Sequence, residues 1–211
     1  MKSRIDYFKD KNFLISFFSG LIFLSASLFI QFLTSQYATR LASQPVTDII
    51  LSNTRVYDVD GIFIFGPVFL VLLILYLCIV HVRYTPFIFK SLATFTLIRA
   101  IFVSLTHISS YPVHMEISPA FFQHSLFNGI FTGDGLFFSG HTGTPFLFAL
   151  MFWDNVVLRT VFLFFSILFG VVVLLGHVHY SIDVFSAFFI TYSIFNICKF
   201  AFKSDWKMFS N

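Results

Sequence analysis

Two short polar segments hold side chains suited to phosphoryl chemistry: Ser139-Gly140-His141-Thr142 and His179-Tyr180-Ser181-Ile182-Asp183. In the second, His179 and Asp183 stand four residues apart at the head of an apolar run. On a helix they share one face. A carboxylate oxygen accepting from one ring nitrogen fixes the tautomer and leaves the other nitrogen free as a nucleophile. It also stabilises the imidazolium that develops. The spacing alone fits equally well a pair that only satisfies polar groups at a membrane surface.

The first segment supplies complementary groups. Ser139 suits a helix N-cap, and Gly140 lets a backbone come close to a ligand. The free N–H groups of a first helical turn favour an anionic phosphate. A histidine placed there, His141, can protonate a leaving oxygen as a general acid. Arg99 is a further candidate. An arginine within an apolar span faces a partner or a cavity, and its guanidinium can hold phosphate oxygens in pairs. An ion pair with Glu116 or Asp134 is the competing use. Tyr180 and Glu116, the one glutamate in the chain, complete the candidate substrate contacts. The remaining histidines His107, His114, His124 and His177 are secondary candidates.

These segments need a scaffold, and composition names it. Of 211 residues, 57% are hydrophobic and 11% charged, where soluble domains carry about 25% charged residues. The expectation is an all-α polytopic membrane protein with one domain over 1–211. Six apolar runs mark spans at 13–33, 62–80, 91–108, 139–157, 158–176 and 180–202. Residues 13–33 can cross ~30 Å of hydrocarbon at ~1.5 Å per residue, and they read as an uncleaved first span. The fourth run is too short if begun at Thr142, so it must start at Ser139. Residues 109–138 have no Lys or Arg but several aromatics. They read as a segment lying along the interface.

Charge placement orients the bundle. With six spans, one side carries ten Lys and Arg: Lys2, Arg4, Lys9, Lys11, Arg83, Lys90, Arg159, Lys199, Lys203 and Lys207. The other side carries Arg40 and Arg55. Both termini are therefore expected in the cytoplasm. Both polar segments then open on the extracytoplasmic face: the periplasm of a bacterial inner membrane, or a lumen in a eukaryote. Six of the seven histidines fall on that same side, although histidine played no part in the assignment. The net charge of +3, without a basic stripe, gives no reason to expect a nucleic-acid partner. Cys78 and Cys198 lie inside apolar runs, without disulfide or metal spacing.

At this level of detail the chain resembles a known family. Gly133-Asp134-Gly135-Leu136-Phe137-Phe138-Ser139-Gly140-His141-Thr142 and His179-Tyr180-Ser181-Ile182-Asp183-Val184 are similar to the two signature segments of the sphingomyelin synthases. That family belongs to the type 2 phosphatidic acid phosphatase superfamily. The resemblance implies a six-span fold, a phosphohistidine mechanism and no metal or other cofactor. It implies His179 as nucleophile, Asp183 as its partner and His141 as general acid. The phosphatase branch usually has an arginine six residues before the nucleophile, where this chain has Val173. Its Lys-x6-Arg-Pro signature is also missing. Both departures favour the synthase-like branch. There, a span-three arginine is followed by threonine at +3 and +7; Arg99 and Thr106 fit, and Phe102 stands at +3.

The expected activity is transfer of a phospho-head-group from a phospholipid donor to a lipid alcohol. Hydrolysis with water as acceptor, by a lipid phosphatase or a phospholipase C-like enzyme, is the alternative. A histidine-based metal transporter is a third reading.

Overall fold

The computed structural model describes residues 4–115 and 137–210. Among these the chain forms α1 (Arg4–Lys9), α2 (Lys11–Arg40), α3 (Asp60–Val80), α4 (Thr85–Leu105), α5 (Gly140–Met151), α6 (Val156–Leu175), α7 (Ser181–Ala201) and α8 (Lys203–Ser210), and no strand. In hydrocarbon, backbone N–H and C=O groups find partners only within the protein, and a helix satisfies them along its own length. Among the described residues five helices are long and apolar enough to cross a membrane: α2, α3, α4 with its preceding turn, α6 and α7. They turn Phe18, Ile22, Leu72, Phe164 and Phe189 outward. The chain is an integral membrane protein.

The expected fourth span, 139–157, is corrected. Helix α5 ends at Met151 after 12 residues, about 18 Å at ~1.5 Å per residue, well short of the bilayer core. The Asn155 side chain accepts the Leu158 N–H and caps α6, so residues 152–155 form a turn. Among the described residues five helices are of membrane length, and the shorter α5 leads from Ser139 beside Asp183 to Phe152 beside Tyr84 and Phe209, at the opposite end of the bundle. A short α5 is tolerated because it is central. Leu147, Phe148 and Ala149 are fully buried, and α4, α6 and α7 all touch α5. Gly143 faces two of them closely. A Cβ there would lie 2.8 Å from the Phe95 ring of α4 and 2.9 Å from Thr191 Oγ1 of α7. Other boundaries move less. Helix α2 continues to Arg40, α4 begins at Thr85 with Pro86 in its first turn, and α8 follows a break at Phe202.

The helix ends gather into two groups. At one, Lys90 pairs with Asp205 at 2.6 Å and donates to Ser16 Oγ at 2.6 Å. This ties the starts of α2 and α4 to α8. Tyr84, Phe87, Phe152, Trp206 and Phe209 pack around it, with ring centroids 4.5 to 5.6 Å apart. Each such pair contributes about 0.5–1.5 kcal/mol beyond its buried area. At the opposite end, Ser43 N–H donates to the His107 carbonyl, Tyr57 N–H to Leu175 and Ser139 N–H to Asp183. The last bond joins the backbones of the two polar segments.

The start of α5 also meets α4. Gly140 lies against the Arg99 side chain. Arg99 precedes the end of α4 by six residues, or about 9 Å at ~1.5 Å per residue.

Candidate active site

The first turn of α7 builds half of the site. Asp183 Oδ2 accepts the Tyr180 N–H at 3.0 Å and faces His179 Nδ1 at 3.4 Å. One carboxylate thus caps the helix and orients the imidazole. A carboxylate accepts, so in the tautomer that makes this bond Nδ1 is the donor and Nε2 is the nitrogen with a free lone pair. His179 and Asp183 are both buried, 5% and 2% exposed. Contacts of this kind are often long before substrate binds.

The start of α5 builds the other half. Ser139 Oγ accepts from the Thr142 N–H and hydroxyl at 3.4 and 3.3 Å, the expected N-cap. Pro145 has no N–H to offer the His141 carbonyl, and Ser166 of α6 donates to the Thr142 carbonyl at 2.8 Å. The His141 ring stacks on Phe63 of α3, with centroids 4.4 Å apart and planes at 25°. Phe169 of α6 meets it edge-on at 6.4 Å. Two aromatic rings therefore fix the imidazole plane.

The halves meet. The His141 and His179 rings are 6.5 Å apart by centroid, at 64°. That spacing is of the order a phosphoryl group needs to touch both rings, given near-attack contacts of about 3–3.5 Å. Arg99 reaches in from α4. Its Nε–H donates to the Phe138 carbonyl at 3.0 Å, just before the Ser139 cap. Its guanidinium is near enough to Asp183 for the charges to attract. His179 with its carboxylate partner, His141 and the Arg99 guanidinium thus converge.

Residues 133–200 match the family model described as PAP2 superfamily C-terminal. No curated protein and no solved structure matches the chain. The match supports the type 2 phosphatidic acid phosphatase superfamily over the last third of the chain, and with it a lipid phosphatase or phosphotransferase in the broad sense. It does not reach as far as a sphingomyelin synthase-like branch. The matched stretch carries α5, α6, nearly all of α7, and with them His141, His179 and Asp183. Arg99 and Phe63 lie outside it.

The remaining expected residues fall differently. Tyr180 is buried, and its hydroxyl donates to the Ser109 carbonyl at 2.8 Å while accepting the Val46 N–H at 3.3 Å. Its side chain ties two connecting segments together, and its backbone N–H is what touches the site. His177, at φ 54°, bonds through Nδ1 to the Val113 carbonyl and through Nε2 to Thr54 Oγ1. It fastens the same two segments to the α6–α7 turn. His107 lies edge-on to Tyr37, and His114 bonds to the Tyr111 carbonyl. Val173, fully buried, accepts the N–H groups of Val178 and His179 through its carbonyl. Glu116 and His124 lie outside the described residues. Sequence reasoning missed Phe63 and Phe169, since nothing distinguishes them among 34 phenylalanines. It also missed the Phe138 carbonyl, a backbone group with no residue signature.

Proposed function

We propose that this protein is a membrane lipid phosphotransferase that moves a phospho-head-group from a phospholipid to a lipid alcohol. The observation that carries the reading is the convergence of His141 and His179 across a gap of phosphoryl size, with Arg99 and Asp183 beside it.

His179 Nε2 attacks phosphorus in line, and the bond from phosphorus to the diacylglycerol oxygen breaks. His141 gives its proton to the departing oxygen. Asp183 stabilises the charge left on the phosphorylated imidazole. An acceptor hydroxyl then surrenders its proton to His141 and attacks phosphorus, and the P–N bond breaks. Protons balance over the cycle. Arg99 holds the non-bridging oxygens, so catalysis is mostly positioning and electrostatics. The burial of His179 and Asp183 favours transfer, because a lipid acceptor meets less competition from water in an excluded site. Ser16 near the start of α2 and Asp205 of α8 meet on Lys90 at one end of the bundle, and lysine and arginine placement, with α5 counted as a passage between the two ends, supports both termini in the cytoplasm and a site on the outer face.

The test is direct. Purified protein in lipid nanodiscs, given phospholipid labelled in its head group, should yield a new labelled phospholipid plus diacylglycerol when a lipid alcohol is added. Released phosphate or phospho-head-group as the sole product would replace transfer with hydrolysis. Chelation should leave the rate unchanged; a metal transporter would lose metal binding in His179→Ala instead.

Replacing Arg99 separates charge from shape. Arg99→Lys keeps the charge but loses the planar fork. We expect a loss of about 10²-fold in kcat, of the size seen when one oxyanion donor is removed, with folding intact. A variant within twofold of the parent rate would remove Arg99 from the phosphoryl site.

A further inference from the structure

The connection between α2 and α3 lies outside the matched stretch, yet it seats directly on the helix that carries the nucleophile. Asp48 makes the seat. Its Oδ1 accepts the N–H groups of Ile50 and Leu51 at 2.8 and 3.1 Å, turning the chain into the short helical turn Leu51–Asn53. Its Oδ2 accepts both the N–H and the hydroxyl of Ser181, at 2.7 and 2.8 Å. Ser181 is the first residue of α7, midway between His179 and Asp183.

Two carboxylates therefore hold consecutive N–H groups. Asp183 takes Tyr180 from within the helix, and Asp48 takes Ser181 from outside it. A carboxylate at this helix end also faces the positive end of the helix dipole. Burial pushes the Asp48 carboxyl up, but the bonds from Leu51, Ser181 and Ile50 outweigh it and hold the group below its ordinary value of 3.8. With a lowered folded-state value, its stabilising contribution is complete above about pH 3.8 and is lost as pH falls through that lowered value. Val46 N–H on the Tyr180 hydroxyl gives the same connection a second grip.

We propose that Asp48 is a positioning residue for the nucleophile, clamping the first turn of α7 so that His179 and Asp183 face each other. This rests on the phosphohistidine reading above. Asp48 touches neither His179 nor the reacting atoms, so its effect runs through the backbone. Displacements of about 1 Å in a catalytic group cost up to about 10²-fold in rate.

The experiment uses the full chain in nanodiscs, with Asp48→Ala, Asp48→Asn and Ser181→Ala. Asp48→Ala should lower kcat about 10- to 100-fold, with KM within about twofold, because Arg99 and His141 are untouched. Asp48→Asn keeps acceptor oxygen and should recover part of the loss. Ser181→Ala, which keeps the backbone bond, should cost less than about threefold. Equal kcat in Asp48→Ala and the parent, or a loss that matches only the fraction unfolded, overturns the proposal. Should Asp48→Ala fail to fold, Asp48→Asn carries the same comparison. Nitrogen-15 spectra of the histidines give a readout independent of turnover. The His179 Nδ1–H signal, assigned by its loss in His179→Gln, should shift or broaden in the Asp48 variants, and an unchanged signal counts against the clamp. If the parent protein forms no acid-labile phosphoprotein, the phosphohistidine reading fails, and the spectra still decide whether Asp48 orients the pair.

Discussion

His179→Ala is expected to abolish turnover, by at least about 10⁴-fold, because deleting a covalent nucleophile removes the path and not only a contact. The parent protein, quenched during turnover with phosphorus-labelled donor, should carry an acid-labile label. The variant should carry none. Folding should survive. Asp183 keeps its bond to the Tyr180 N–H, Ser139 keeps its backbone bond to Asp183, and the lost side chain leaves one long contact behind. The unfolding midpoint should therefore move little. Asp183→Ala should behave otherwise, losing activity and stability together, since that carboxylate is both cap and orienter. An alanine cap substitution costs about 0.5–2 kcal/mol. Retention of a tenth of the parent rate by His179→Ala would place the nucleophile elsewhere.

His141→Ala has the second largest expected effect, and it depends on the leaving group. With a natural phospholipid the departing alkoxide needs a proton, so the rate should fall about 10²–10⁴-fold, the range for a general acid. With a nitrophenyl phosphodiester the leaving group departs unprotonated, and the first step should be nearly restored. The second step still lacks its base, so labelled phosphoprotein should accumulate. Measuring the burst of nitrophenol against steady turnover separates the two steps. Equal losses with both donors would assign His141 a merely structural role. Its packing on the face of Phe63 and the edge-on contact with Phe169 make that control necessary, and His141→Gln fills more of the space than alanine does. Phe63 should matter through the same geometry, since its ring sets the plane from which His141 reaches the leaving oxygen.

Much of this site is local, and local features are legible in residue order. His179 and Asp183 share a face because 3.6 residues make a turn, whatever else the chain does. Ser139 caps α5 because its oxygen reaches the N–H three residues on. The membrane-length helices follow from apolar runs that hydrocarbon obliges to be helical. The end of α5 was less legible. The apolar run continues through Phe152 and Trp153 to Asp154, and Asn155 caps the next helix, so hydropathy alone does not mark where α5 stops. Tyr180 is a different case. It sits inside a catalytic-looking segment, yet its hydroxyl serves Ser109 and Val46.

Residue order alone determined that two polar segments would open two helices, with a histidine in each and a carboxylate one turn from His179. Tertiary structure decided that they meet, at 6.5 Å between rings, that Arg99 of α4 reaches the same point, and that Phe63 and Asp48 hold the parts in place from elsewhere in the chain. The reason is range: hydrogen bonds within one helical turn follow from the spacing of neighbouring residues, whereas the approach of separate helices is set by the close packing of side chains such as Phe95 and Thr191 around Gly143.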